Sequence, residues 1–284
     1  ILLGSESGIR SKLEEMELEF ECTIIDPRRD PRRLDTFAQG MFARRHRKGL
    51  SFEDAQRLLK SRPYFASQMV ASGAADGMVG GVTRAYPDVL SPALKVIGAD
   101  PNAHCIIGCY MMTVNGKVIF LADATVNVYP DSRTLAEIAV QTAKVARRFG
   151  VDPKVAMLSF SNFGSSKAQR TDRIEESIEI ARELDPNIVI EGPMQVDTAL
   201  DPVVQIDYPF MEFEGPANVL ICPNLASANI SYKLLEQFAD AEMTGPILSG
   251  MAKPVQVVAR ADGVRHIINM AAICVMDVLR KEKY

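Results

Sequence analysis

The sequence predicts an α/β protein, and three observations predict it. Apolar runs of about four to six residues alternate with helical periodicity along the chain, the pattern of βα units on a parallel sheet. Asn115-Gly116 joins two strand-like runs, a strong hairpin signal, so an antiparallel hairpin is expected inside that sheet. At 284 residues the chain is long for one hydrophobic core, which points to one or two domains.

The elements follow in order. Ile1–Gly4 reads as a strand whose start resembles the end of a buried element, so the chain is expected to be a piece cut inside a domain. Gly8–Phe20 is a helix with an approximate apolar stripe of Ile9, Leu13, Met16 and Leu18, and Cys22–Ile25 is a strand. Asp30–Lys48 is a helix turning Leu34, Phe37, Met41 and Phe42 inward. It ends in a run of cations before Gly49, where basic side chains complement the dipole and glycine caps. Ser51 with Asp54 is spaced like a capping box and opens a helix that breaks near Pro63 and runs to Ser72.

Ala75–Gly81 is a short strand ending in glycines, and Pro87–Ile97 a helix interrupted by Pro92. The hairpin His104–Val114 and Lys117–Ala122 follows. Ser132–Phe149 is amphipathic and helical, Val155–Phe160 a strand, and Ser161–Ser166 a polar loop. Next come helix Lys167–Leu184, strand Ile188–Glu191, short helix Gln195–Leu200 and the irregular stretch Asp201–Phe213. Strand Val219–Cys222, helix Ser227–Phe238, strands Pro246–Ser249 and Val255–Val258, and a long apolar helix complete the chain. Composition near Tyr129-Pro130-Asp131 suggests a domain change, giving residues 1–130 plus 246–284 as the first domain and 131–245 as the second.

Composition narrows the function classes. Apolar residues are 47% and charged residues 24%, an ordinary globular balance. A net charge of −4 argues against a nucleic-acid backbone as main partner. No apolar run reaches the roughly 18–20 residues of a membrane helix. The five cysteines show neither CxxC pairing nor zinc-ligand spacing, which favours buried thiols in a reducing cytoplasm, and no metal site is expected.

Several residues are candidates for binding. The small residues Ser159, Ser161, Gly164, Ser165 and Ser166 between a buried strand and a helix leave backbone N–H groups open to an anion, or serve as an ordinary capping turn. Arg44, Arg45, Arg47 and Lys48 either grip phosphates or form a solvated helix end. Lys253 and Arg260 lie between buried elements before the last helix, a cation pair suited to an anionic ligand. His266, on that helix's first turn, is a base or a surface histidine. Asp197 reads as structural. No Ser-His-Asp triad, HExxH or catalytic carboxylate pair is present.

These blocks carry a resemblance. Ala75-Asp76-Gly77-Met78-Val79, Leu158-Ser159-Phe160-Ser161 with Gly164-Ser165, Gln195-Val196-Asp197, Ala217-Asn218-Val219-Leu220, Asn229–Lys233, Gly245-Pro246-Ile247 and Ala252-Lys253-Pro254 resemble the phosphate acetyltransferase family over essentially the whole chain. The resemblance implies two α/β domains with a cleft between them, related to isocitrate and isopropylmalate dehydrogenases, and a chain that begins after the family's first βα unit. In active members a carboxylate near the last helix deprotonates the coenzyme A thiol, while a Ser-Arg pair and two further arginines hold acetyl phosphate. Matched residue by residue, one arginine is Arg45 and the pair's arginine is Arg260. The second arginine falls on Ser91, the serine on Ala259 and the acid on His266.

Three readings follow from these replacements. The first is a catalytically disabled, acetyl-CoA-binding domain that regulates an oxaloacetate-decarboxylating malic enzyme, using Arg45, Ser159–Ser166, Lys253, Arg260 and His266. Its partner is then an upstream malate-oxidising half, which alone holds NADP and a divalent metal, in a homodimer within a larger homo-oligomer. The second is an active phosphate acetyltransferase with His266 as base, since an imidazole's ordinary pKa of about 6.5 suits that role. The third is a purely structural oligomerisation domain.

Overall fold

The computed structural model describes residues 1–165, 169–239, 241–260 and 262–281, with the side chains of 169–171 and 281 left aside. The chain forms two compact units. Residues 1–98, 252–262 and 271–284 make the first, and residues 99–251 and 263–270 the second. The divisions fall near Gly98 and Met251 rather than near residues 130 and 245, because the hairpin expected in the first domain pairs into the second unit's sheet.

The first unit opens with β1 (Leu2–Leu3), paired in parallel with β2 (Ile24–Ile25). Between them lies α1 (Glu6–Glu15), which buries none of its residues. Its expected stripe fails because the helix stops early: Met16 is its C-cap and Leu18 lies beyond it, both more than half exposed. Helix α2 (Pro31–Arg45) turns in Leu34, Phe37 and Met41, whereas Phe42 points outward, and a 3-10 turn (His46–Lys48) ends on left-handed Gly49. The predicted break is real. Helix α3 (Phe52–Leu59) stops before α4 (Arg62–Ser72), and Pro63 sits in the first turn of α4, where its missing N–H costs nothing. The Ser51 hydroxyl accepts from the Asp54 N–H and caps α3. Phe37 and Phe65, with ring centroids 5.2 Å apart, centre this unit's helical core.

Next come β3 (Met78–Gly80) and α5 (Tyr86–Val96), which runs through Pro92 without breaking. β3 pairs in parallel with β10 (Val255–Val257), aligning Met78 with Val255 and Gly80 with Val257.

The second unit is built on one six-stranded mixed sheet. Its strands are β4 (Ile107–Val114), β5 (Lys117–Ala122), β6 (Lys154–Leu158), β7 (Val189–Met194), β8 (Val219–Ile221) and β9 (Glu242–Ser249). They lie in the order β7-β6-β8-β5-β4-β9. β5 to β8 run parallel, while β4 pairs antiparallel with both β5 and β9. Asn115 and Gly116 close the hairpin with φ of 49° and 73°, as an Asn-Gly turn requires. Helix α6 (Ser132–Arg148) is buried along most of its length, and α7 (Gln169–Leu184), α8 (Val196–Leu200), α9 (Pro202–Gln205) and α10 (Leu225–Phe238) complete the layers. Helix α11 (Val264–Lys281) belongs to this unit as far as Met270 and to the first from Ala271. Among the described residues, no helix is long and apolar enough to cross a membrane.

Candidate active site

In open parallel sheets, ligands collect beyond the carboxyl ends of the strands, where helix N-termini and loop amides converge. Each unit has such an edge.

In the first unit the edge lies past β3 and β10. The Val258 N–H donates to the Gly80 carbonyl at 2.9 Å, so the two chains stay paired to the last residue before their loops. Gly81 must be glycine: its φ is 144°, and a Cβ there would lie 1.8 Å from the Val258 oxygen. This contact sets Val258, the residue before the next loop, directly against Gly81. The Ala259 N–H donates to Asp262 at 2.6 Å, which folds the loop over and leaves Arg260 exposed at its turn. Arg45, half-buried at the end of α2, donates to the Lys95 carbonyl at 2.8 Å. Lys95 lies one turn beyond Ser91 on α5, so this bond ties Arg45 to the helix that carries Ser91. Lys253 is different. It precedes β10 whereas Arg260 follows it, so the expected cation pair is split across the strand's two ends.

The basic run divides as well. Arg44 turns to the Gln68 side chain, and burial lowers its pKa, while Arg47 and Lys48 are exposed in the terminal 3-10 turn. These last two form the solvated helix end.

In the second unit the edge lies past β6 and β7. The Ser159 N–H donates to the Met194 carbonyl at 2.8 Å and extends the sheet. The Phe163 N–H donates to the Pro193 carbonyl at 2.7 Å. Asn162 is the hub: its Oδ1 accepts from the Gln195 N–H at 2.7 Å, and its Nδ2 donates to Gln195 Oε1 at 3.3 Å and to the Tyr208 hydroxyl at 3.1 Å. Gln195 Nε2 returns to the Phe160 carbonyl at 2.7 Å. Ser165 Oγ accepts from the Asn162 N–H at 3.2 Å, so that hydroxyl holds the turn. Ser161 differs. It is 5% exposed, and its hydroxyl has no hydrogen-bond partner, a buried donor without an acceptor. Gly164, with φ of 76°, forms the bend, while Ser166 lies outside the described residues. Among the described loop positions expected to bind an anion, Ser161 has a hydroxyl that is both buried and without a partner.

His266 is half-buried in the first turn of α11, and neighbouring Arg265 pairs with Glu242 at 2.5 Å. Asp197 accepts only from the Thr198 N–H next to it among the bonds seen, a local role.

Two features were not visible beforehand. Buried Asp123 accepts from the N–H groups of Gly108, Thr125, Val126 and Asn127 and from the Asn127 side chain, and so builds the loop after β5. The first unit also holds a cavity of about 710 Å³ lined by β1, β3, α4 and α11. None of the expected site residues lines it, and its walls are mainly apolar.

Comparison with known proteins agrees along the whole chain. The family model Phosphate acetyl/butaryl transferase matches residues 1–275. A phosphate acetyltransferase of Clostridium acetobutylicum is 36% identical over 99% of this chain and 86% of its own length. The crystal structure of a phosphotransacetylase from Streptococcus pyogenes superposes with a TM-score of 0.90 at 34% identity, covering 99% of this chain and 86% of that one. An NADP-dependent malic enzyme of Rhizobium meliloti is 35% identical over 96% of this chain, but over only 36% of its own length.

These relatives bear out the expected α/β fold and overturn the leading expectation about activity. Proteins named phosphate acetyltransferase, at 33–37% identity over nearly the full chain, contradict a disabled regulatory domain of an oxidoreductase. The expected malate-oxidising half, with its NADP and metal, has no support in this chain. That expectation took three replacements as lost chemistry. The same expectation had matched Arg45 and Arg260 to arginines of the family and His266 to its acid.

Proposed function

Since the chain belongs to the Phosphate acetyl/butaryl transferase family, we propose that it is an active phosphate acetyltransferase, moving an acetyl group between phosphate and coenzyme A. The likeness to such enzymes across 99% of the chain carries this reading. The substrates are acetyl phosphate and coenzyme A, or acetyl-CoA and phosphate in reverse. We place the activity in the cytoplasm, in keeping with five free cysteines.

The chemistry assigns a role to each retained group. Arg45 and Arg260 hold the phosphoryl oxygens and offset the charge that grows on them as phosphate leaves. His266 accepts the thiol proton. A free thiol has a pKa of about 8.5, so little thiolate exists at neutral pH without a base. The sulfur then attacks the acetyl carbon, the C–S bond forms, and the C–O bond to phosphate breaks with its electron pair leaving on phosphate.

The test is acetyl-CoA formation from acetyl phosphate and coenzyme A, with His266→Ala beside the wild type. Removing a general base lowers kcat by about 10²–10⁴. Wild-type turnover that is unchanged by His266→Ala removes histidine from the role of base.

A further inference from the structure

Strand β2 is longer in sequence pattern than in pairing. Residues 18–25 alternate as a strand does, with Leu18, Phe20, Cys22 and Ile24 on one face and Glu19, Glu21 and Thr23 on the other. Only Ile24 and Ile25 are laddered, opposite Leu2 and Leu3. Before them, the Leu18 N–H closes the end of α1 on the Leu13 carbonyl, and Glu17, with φ of 53°, turns the chain out of the helix. The backbone groups of residues 19–22 then make no hydrogen bond to any described part of the chain. Leu18 and Phe20 are 52% and 60% exposed, and Glu19 and Glu21 are exposed beside them.

The sheet of β1 and β2 has two strands, so β2 has a free edge facing away from β1. Thr23 and Ile25 turn their carbonyls to β1, where they accept from the N–H groups of Leu2 and Gly4 at 2.9 and 3.0 Å. Successive residues of a strand present their backbone groups on opposite edges, so Phe20, Cys22 and Ile24 offer theirs on the free one. A row of unpaired N–H and C=O groups beside bare apolar side chains is a template for a further strand. Lysine and proline commonly guard such edges. Residues 18–25 contain neither, and their only charges are Glu19 and Glu21.

We propose that this free edge of β2 docks an extended segment of a partner protein in which apolar residues alternate with lysine or arginine. Charge selects that occupant. Like charges directly opposite one another across a strand pair are destabilising, so Glu19 and Glu21 turn away any acidic strand, a second copy of this edge included. The same carboxylates favour cations at the facing positions, while the partner's apolar residues cover Leu18 and Phe20. Main-chain hydrogen bonds supply the affinity of such an added strand, and alternate side chains its specificity. Exposed Val203 and Ile206 form no comparable template, because the Ile206 N–H is already bonded to the Val203 carbonyl within its own turn.

The experiment titrates a capped peptide of alternating lysine and valine, about eight residues long, into the full chain at low salt, read by calorimetry. Binding is expected, with new protection of the Phe20, Cys22 and Ile24 amides from hydrogen exchange. A glutamate–valine peptide should bind about 10-fold more weakly or worse. A lysine–glycine peptide should also bind about 10-fold more weakly, since it keeps the charge but leaves Phe20 bare. Glu19→Lys combined with Glu21→Lys should reverse the preference between the two valine peptides, with circular dichroism and turnover unchanged. No binding of the lysine–valine peptide, binding without protection of those amides, equal binding of the lysine–glycine peptide, or a charge preference that survives the double reversal would each overturn the proposal.

Discussion

The loop after β6 and the loop after β10 both leave the carboxyl end of a parallel strand, yet they are held in place differently. The first is wired: Asn162 binds both Gln195 and Tyr208, and Ser165 closes its turn. The second is held by close approach. Gly81 lets the chain press against Val258, and the Ala259 N–H donates to Asp262. A networked loop presents its backbone in one conformation and spends its side chains doing so. A loop held by close backbone approach and one carboxylate leaves Arg260 exposed at its turn. The two loops should therefore fail in different ways.

The largest effect is expected at Gly81. Alanine there meets a carbonyl oxygen inside any allowed contact and takes up a left-handed φ, so Gly81→Ala should cost more than about 4 kcal/mol in urea unfolding and abolish turnover. Gly164→Ala is the control. Its nearest neighbour would be the Glu175 carboxylate at 3.7 Å, so only backbone strain of about 1 kcal/mol is expected. Equal losses at the two glycines would erase the contrast.

Arg260→Ala should lower kcat/KM by about 10²–10³ with no change in the unfolding midpoint, the mark of a side chain reserved for ligand. Asn162→Ala should do the reverse. It leaves the Gln195 N–H without its acceptor and should cost about 1–3 kcal/mol of stability, with a smaller loss of rate.

The smallest effect concerns Glu191, beneath the wired loop. Burial raises its pKa, against the bond it accepts from the Glu212 N–H at 2.9 Å. A carboxyl whose folded pKa lies above its unfolded value loses stability as pH rises through that range. Glu191→Gln keeps the acceptor without the charge. It should raise Tm by about 2–4 °C at neutral pH and have no benefit once the carboxyl is protonated in both states. A larger benefit at low pH would reverse the sign of this account.

Much of the fold was legible because its signals are local. Asn115-Gly116 specified a hairpin turn, Pro63 a helix start and Ser51 a cap, each through the conformation of a few adjacent residues. Misreadings came where periodicity outran the helix. Met16 and Leu18 continue a stripe that α1 does not live to use, and Phe42 faces out at the end of α2. The site was legible only in part. Arg45 and Arg260 came from matched motifs, but spacing made Arg260 and Lys253 a pair, and three residues of strand between them divide it. The Asn162 network escaped notice because its partners lie 33 and 46 residues away, a separation that pattern cannot bridge. Asp123 escaped for another reason: a buried carboxylate that accepts from backbone N–H groups leaves no mark in the composition around it.

Arsenolysis of acetyl-CoA by the wild-type chain tests the central claim most directly. Arsenate takes the place of phosphate, and the acetyl arsenate formed hydrolyses, so thioester loss reports acetyl transfer alone. The account predicts arsenate-dependent thioester loss, many-fold above the rate without protein. Calorimetric binding of coenzyme A together with no arsenate-dependent loss would contradict it.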